Sequence, residues 1–146
     1  MIAIRPARET DFDAVARVWL ESWESLRLPA SDGVDYAALR ARIPVEIAGG
    51  WHLHVADDAG TIAAMLAFRT RDNYLDQIFV APEHQHKGIG KRLLAFTRQH
   101  LPDEIELRCV RENEKAWRWY EREGFIFERE AVEPMTGFVI DRKSVV

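Results

Sequence analysis

Residues 85 to 90 read Gln85-His86-Lys87-Gly88-Ile89-Gly90, a glycine-containing turn between two apolar runs. The run before it, Ile78-Phe79-Val80-Ala81, is rich in β-branched and aromatic residues and stops at a proline, which predicts a strand. The run after it, residues 91 to 96, has helical spacing. A loop between a strand and a helix has several unpaired backbone N–H groups beside the positive end of the helix dipole. The stretch therefore predicts a site for a diphosphate.

The residue types in this loop fit the same interpretation. Gly88 and Gly90 lack a Cβ atom, so that a phosphate can approach the backbone, and Lys87 and Lys91 supply positive charge. A Walker loop would need Lys and then Ser or Thr after its last glycine, and a dinucleotide fingerprint would need a third glycine. The stretch has neither, which disfavours a kinase or a dehydrogenase. Its pattern is Gln-x-x-Gly-x-Gly, with Pro-Glu just before it.

A second pattern lies further along the chain. It consists of Asn113, Ala116, Tyr120 and the pair Gly124-Phe125. Asn113 is a good helix N-cap and Gly124 is a natural residue to end a helix, so we expect a helix from about residue 113 to residue 123. Ala116 and Tyr120 follow Asn113 at helical spacing, and the three residues therefore share one face of this helix.

The two patterns together resemble the acyl-CoA-binding segments of the GCN5-related N-acetyltransferases (GNAT), and the resemblance is strongest over residues 74 to 127. It implies an α/β (α+β) fold with a mixed, mostly antiparallel sheet. In that sheet the strand ending at Val80 and the strand beginning near Ile105 splay into a central V, which holds the acyl-pantetheine chain. The resemblance also implies acetyl-CoA as the co-substrate. The residues that it assigns to acetyl-CoA are Ile78, Phe79 and Val80 through their main chain, Gln85, His86, Lys87, Gly88, Ile89, Gly90 and Lys91 around the pyrophosphate, and Asn113.

The rest of the chain fits a single domain over residues 1–146. Alternating apolar runs and turn signals predict the order β-α-α-β-β-β-α-β-α-β-β. We expect Pro44 to kink or split the second helix. The strands over residues 51–56 and 61–69 should form a hairpin, and the chain should close with paired strands over residues 125–131 and 138–141.

Composition narrows the function classes. The formal net charge is −4 and the basic residues are scattered, which disfavours a nucleic-acid partner. No run approaches the ~20 apolar residues that span a membrane, and the N-terminus does not resemble a signal peptide. With a single cysteine, Cys109, these features predict a cytoplasmic protein. The sequence is also compatible with a homodimer.

Tyr120 matches the position of the family's general acid. A phenol with a pKa of ~10 is protonated at neutral pH and could donate a proton to the departing thiolate, whose simple thiol has a pKa of ~8.5. The alternative is a core tyrosine on an amphipathic helix. The backbone N–H of Val80 or of a neighbour would stabilise the oxyanion.

The general base is less well defined. Asp76 has the same strand parity as Ile78 and Val80 and could accept a proton directly or through water. Glu83 is a rival that could instead cap the turn, and an ordered water with no single base is a third possibility. The family's first two helices cover the acceptor site, so Trp19 or Trp23 is expected to line it.

A metal site is disfavoured, because His52 and His54 share a strand face without accompanying acidic or cysteine ligands. Cys109 lies in an apolar strand, which favours a buried, unreactive thiol. The sequence therefore predicts an acetyl-CoA-dependent N-acetyltransferase that acetylates a primary amine of a small molecule or peptide by direct attack. The alternative is a non-catalytic acyl-CoA-binding or sensing domain, against which the presence of Tyr120 argues.

Overall fold

A computed structural model describes residues 1–28, 33–132 and 139–145, with the backbone alone for residues 129–132 and 139–145. The strands are β1 (Ile2–Pro6), β2 (His52–Asp58), β3 (Thr61–Arg69), β4 (Tyr74–Val80), β5 (Ile105–Val110), β6 (Ile126–Val132) and β7 (Val139–Val145). The helices are α1 (Phe12–Ser25), α2 (Tyr36–Ala48), α3 (Ile89–His100) and α4 (Glu114–Arg122), with short 3-10 helices at Glu9–Asp11 and Pro82–His84. This order of strands and α-helices confirms the prediction. No helix in the described ranges has both the length and the apolar character needed to cross a bilayer.

Within the described residues the sheet has seven strands, in the order β1-β2-β3-β4-β5-β7-β6. All neighbours are antiparallel except β4 and β5, which run parallel. These two strands pair at a single position, Tyr74 with Glu106, and separate from there toward Val80 and Val110. The predicted mixed, mostly antiparallel sheet with a central V is therefore confirmed.

Apolar cores lie on both faces of the sheet. On the face covered by α3 and α4, Leu66 of β3 packs with Leu93 and Leu107. On the opposite face, covered by α1 and α2, Met65 of the same strand packs with Val15. Each of these side chains is almost fully buried, and burial of one such side chain stabilises a fold by roughly 1.5–3 kcal/mol. Because β3 is buried on both faces, its sequence is apolar from Ile62 to Phe68 rather than alternating.

Turns and element ends agree with the sequence in most places. The predicted hairpin between β2 and β3 is present, and its two loop residues, Ala59 and Gly60, have φ values of 51° and 95°. Two successive residues with positive φ are typical of a type I′ turn, which matches the twist of the strands. Pro44 lies inside α2 without splitting it, so of the two predicted effects only a kink is compatible with the structure. Strand β7 continues to Val145, beyond the predicted end at Asp141, and the predicted first residue, Phe138, lies outside the described residues.

The two strand histidines belong to an aromatic cluster on β2, β3 and α3. The His54 ring stacks on Phe68 with centroids 5.6 Å apart and lies 4.7 Å from Phe96 and 6.1 Å from His100, while His52 stacks on Phe68 at 5.4 Å. His54 Nδ1 is buried and has no hydrogen-bond partner among the described residues. In the same part of the chain, no group of three or more His, Cys, Asp or Glu residues could hold a metal ion. The cluster thus gives these histidines a packing role.

This packing predicts a loss of stability in mild acid. Burial lowers the pKa of His54 below its usual 6.5, with the neighbouring His100 and His52 as further causes. At mildly acidic pH the His54 imidazole is therefore protonated in the unfolded chain but stays neutral in the folded chain. The free energy of unfolding consequently falls as the pH drops below about 6.5. Replacing His54 with Phe should make that fall shallower. Urea unfolding of both proteins at pH 7.5 and at pH 5.5 measures it, and equal acid losses would contradict the prediction.

Candidate functional site

Two cavities meet where β4 and β5 separate. The gap cavity, of about 570 Å³, lies between the two strands, and the cradle cavity, of about 420 Å³, lies against the loop that precedes α3. Both are lined by Ile78, Phe79, Asn113, Ala116 and Tyr120. A molecule bound along the loop could therefore extend into the opening of the V, where a second molecule entering the gap cavity would meet it.

The loop before α3 has the geometry of an anion site. Among the described residues, none accepts a hydrogen bond from the backbone N–H groups of residues 86–91, and the first helical bond runs from Arg92 N–H to Gly88 O. Gly88 is the N-cap residue and has φ of 77°, a conformation that side chains rarely adopt. A Cβ atom built on Gly88 would meet nothing within 4 Å, so the space beside it is open. These features fit a diphosphate, which accepts several N–H bonds at once.

Most of the predicted loop residues line the cradle cavity. They are Gln85, His86, Gly88, Ile89, Gly90 and Lys91. His86 has φ of 66°, another left-handed residue in the loop, whereas Lys87 is exposed and does not line the cavity. The side chain of Ile89 is buried in the core, which leaves its backbone to face a ligand. Lys91 Nζ lies 3.7 Å from a carboxylate oxygen of Glu123, which also lines the cavity.

A hydrogen-bonded junction holds the end of β4 in place. The carbonyl oxygen of Val80 accepts bonds from Ser22 Oγ at 3.3 Å and from Gln85 Nε2 at 3.2 Å. Ala81 N–H donates to Ala63 O of the β3 side at 2.8 Å. Because backbone groups alternate in direction along a strand, the N–H of Val80 points away from β3, toward the gap. The sequence did not reveal Ser22, whose only signal is a polar residue on the buried face of α1.

Helix α4 is fixed at both ends, as its sequence predicts. Asn113 Oδ1 accepts a hydrogen bond from the N–H of Ala116 at 3.4 Å, which confirms the N-cap. At the other end, Gly124 has φ of 100°, and Phe125 N–H donates to Tyr120 O at 2.9 Å. A bond from Gly124 N–H to the Glu121 carbonyl completes a Schellman motif. The two caps set the position of Tyr120 on the helix.

Tyr120 lies between the two cavities. Its ring meets Phe125 edge-on at 5.4 Å and is buried in the core, yet the residue lines both cavities. Burial is the main cause that raises the pKa of the Tyr120 phenol above its ordinary value. Its hydroxyl has no hydrogen-bond partner within the described ranges. The phenol is therefore protonated at neutral pH and is free to donate into the gap.

Asp76 lies in the gap cavity, on the face of the sheet opposite the predicted one. Its Oδ2 accepts a bond from Trp51 Nε1 at 2.7 Å and lies 3.4 Å from a guanidinium nitrogen of Arg69. The register between β3 and β4 shifts by one residue here, since Ala67 pairs with Gln77 and Phe68 with Leu75. The extra residue is Asp76, and it turns toward the α1 and α2 face. The prediction that Asp76 shares the parity of Ile78 is wrong because of this β-bulge.

The structure also gives the positions of the other residues that the sequence singled out. Glu83 is exposed in the first turn of the 3-10 helix and lines neither cavity. Trp23 of α1 lines the gap cavity and meets Phe79 edge-on at 6.1 Å, whereas Trp19 packs on Trp51. Cys109 is buried, as expected for an unreactive thiol, and its side chain borders the gap cavity.

Charged side chains surround the outer part of the gap cavity. Arg69 lies 2.9 Å from Asp72 and over the ring of Tyr74, and it also contacts Asp76. The hydrogen bond with Asp72 raises the pKa of Arg69, and the same bond lowers the pKa of Asp72. Arg108 of β5, which the sequence did not single out, also lines this cavity.

Comparison with known proteins agrees with this arrangement. The profile of the Acetyltransferase (GNAT) family matches residues 12–125. The probable N-acetyltransferase Rv2775 of Mycobacterium tuberculosis is 30% identical over 138 residues, covering 85% of this chain and 79% of that protein. The peptidyl-lysine N-acetyltransferase YiaC of Escherichia coli is 27% identical over 124 residues, covering 84% of this chain and 82% of that protein.

Solved structures share the fold. The PaiA N-acetyltransferase of Thermoplasma acidophilum, solved in complex with coenzyme A, has a TM-score of 0.74 at 21% identity, covering 98% of this chain and 99% of that one. The family profile covers both patterns described above and the strands that form the V. The chain belongs to the acetyltransferase (GNAT) family.

Proposed function

We propose that the protein transfers an acetyl group from acetyl-CoA to a primary amine of a small molecule or peptide. The observation that carries the proposal is Tyr120, a protonated phenol that lines both the cradle cavity and the gap cavity. A domain that only bound acyl-CoA would need the cradle but no proton donor at this place. Known relatives support the proposal, since the Escherichia coli relative is a peptidyl-lysine N-acetyltransferase and the Thermoplasma acidophilum relative binds coenzyme A.

In this proposal the pyrophosphate of acetyl-CoA binds the unpaired N–H groups of residues 86–91. The pantetheine chain enters the V beside Ile78, Phe79 and Val80, whose backbone edge has no strand partner there. Asn113 borders the same space from the start of α4. The thioester carbonyl then lies near the N–H of Val80, which can stabilise an oxyanion in a water-poor site.

The chemical step is direct transfer. The acceptor enters through the gap cavity, where an ammonium ion first gives up one proton to Asp76 or to water. The neutral amine then attacks the thioester carbon, so that a C–N bond forms and the C–S bond breaks. Tyr120 donates its proton to the departing thiolate, and the surplus proton of the new amide nitrogen passes to water. The tyrosinate regains a proton from solvent, and no covalent enzyme intermediate is needed.

The proposal is tested by measuring acetyl-CoA consumption with a panel of amines, amino acids and lysine-containing peptides. Acetyl-CoA should also raise the melting temperature, because a ligand that binds only the folded state stabilises it. Stabilisation without transfer to any amine would favour the non-catalytic binding domain. If ATP or NAD stabilised the protein and acetyl-CoA did not, the assignment of the cradle would be wrong.

Asp76 can be tested as the group that takes the proton from the amine. Replacing Asp76 with Asn keeps a hydrogen-bond acceptor for Trp51 but removes the basic carboxylate oxygen. We expect kcat/KM at pH 7 to fall about tenfold. This loss is smaller than is usual for removal of a general base, because water can take the proton instead. The deficit should shrink as the pH approaches the pKa of the amine, because the acceptor is then already neutral.

The matched control is Asp72→Asn, which removes the other carboxylate bound to Arg69. It should leave kcat/KM within about twofold of the starting protein. A similar loss in both variants, or a loss in Asp76→Asn that persists at high pH, would assign Asp76 a purely structural role.

A further inference from the structure

Arg108 differs from the other charged side chains of the gap cavity. The cavity is lined by the carboxylates Asp72, Asp76 and Glu106 and by the guanidinium groups of Arg69 and Arg108. Arg69 is held by two of these carboxylates, at 2.9 and 3.4 Å. Glu106 also has an interaction partner. Arg108 is exposed and has no hydrogen bond or ion pair with any other residue in the described ranges.

The location of Arg108 also fits a ligand in the gap rather than one in the cradle. Arg108 lines the gap cavity and not the cradle cavity, so it does not belong to the residues expected to hold the diphosphate. Asp76, on the neighbouring strand, lines the same gap cavity. A molecule in this cavity could therefore present an amino group toward Asp76 and Tyr120 and an anionic group toward Arg108.

We propose that Arg108 binds an anionic group of the acceptor, so that the acceptor is an amine that also carries a carboxylate or a phosphate. This inference rests on the acetyltransferase function proposed above and narrows its acceptor class. A guanidinium group can form two parallel hydrogen bonds with either anion, which gives both affinity and orientation. Binding at Arg108 would hold the amino group toward the acetyl carbon, and the required distance selects acceptors by chain length.

The test compares matched acceptors at saturating acetyl-CoA. They are ω-amino acids of graded chain length, the N-methylamides of the same acids, and aminoalkyl phosphonates of the same lengths. The protein should prefer one anionic series over the amides by at least about tenfold in kcat/KM. A preference for the carboxylates or for the phosphonates identifies which anion Arg108 binds.

Variants connect this preference to Arg108. Arg108→Gln should lower kcat/KM for the anionic acceptors by at least about tenfold, mainly through KM, and change it less than about twofold for the amides. Arg108→Lys keeps the charge and should retain part of the preference. The matched control is Arg122→Gln, at an exposed position of α4 outside both cavities, and it should change neither series.

The outcomes separate this inference from the proposed function. Acetylation of the amides at least as well as the anionic amines, or an equal loss for both series in Arg108→Gln, would overturn the inference alone. Failure to acetylate any amine would overturn the acetyltransferase function, and calorimetric titration of the CoA-loaded protein with an ω-amino acid then decides the inference. Binding that Arg108→Gln abolishes would support an anion site at Arg108, and absence of binding would overturn it.

Discussion

Replacing Gly88 with aspartate is expected to lower the affinity for acetyl-CoA by about 100-fold or more. The backbone of Gly88 faces open space at the start of α3, where a Cβ atom would meet nothing within 4 Å. A carboxylate placed there would occupy the position of the pyrophosphate and repel its charge. Calorimetric titration with acetyl-CoA measures the affinity, and the rise in melting temperature with acetyl-CoA gives an independent readout.

Gly88→Asn is the matched control for this variant. Asparagine and aspartate have nearly the same shape, and both adopt the left-handed conformation that φ of 77° requires more readily than other side chains. Their strain at position 88 should therefore be similar, and the two variants differ mainly in charge. We expect Gly88→Asn to lose less than about tenfold in affinity. Equal affinities for the two variants would argue against a phosphate at this position.

The fold was predictable because local signals agreed with its tertiary packing. The turn at Ala59 and Gly60, the N-cap Asn113 and the helix end at Gly124 each specify a backbone conformation that depends on a few neighbouring residues. The splaying of β4 and β5 has no such local signal. It followed from the family resemblance, and the single pairing of Tyr74 with Glu106 now shows where the V begins.

The surroundings of Asp76, in the gap cavity where the amine is proposed to bind, were harder to predict from the sequence. One extra residue in β4 changes the face to which Asp76 points, and a β-bulge has no reliable signal in the sequence of a single strand. The partners of Asp76 come from elsewhere in the chain, since Trp51 follows α2 and Arg69 ends β3. Such contacts depend on how distant segments pack, and parity along one strand cannot predict them.

The loop proposed to bind the diphosphate could be predicted from the sequence, but the contacts that hold this loop in place are seen only in the structure. Trp119 lies 3.6 Å from the place where a Cβ atom on Gly90 would be, so it covers the first turn of α3. Gln85 and Ser22 bind the carbonyl of Val80 and connect the loop, α1 and β4. A site that must hold a thioester within hydrogen-bond distance of a backbone N–H requires this kind of fixed support.

Replacing Tyr120 with phenylalanine should lower kcat by about 100-fold, the lower end of the range for general acid catalysis. The substitution keeps the ring that packs on Phe125 and removes only the hydroxyl of a residue that lines both cavities. Without it, the thiolate must leave unprotonated or take its proton from water. The affinity for acetyl-CoA should change little, because the cradle is untouched. Burial raises the pKa of Tyr120, so ionisation of this group should not reduce kcat on the alkaline side of neutrality.

Stability separates a catalytic role of Tyr120 from a structural one. Because the hydroxyl has no hydrogen-bond partner in the described part of the chain, Tyr120→Phe should change the free energy of unfolding by less than about 0.5 kcal/mol. Loss of a buried hydrogen bond would instead cost roughly 1 kcal/mol. Both kcat and the urea midpoint should be measured on one preparation. Near-normal kcat with a lowered midpoint would reject proton donation by Tyr120, whereas a large loss of kcat at unchanged stability requires a role in the reaction itself.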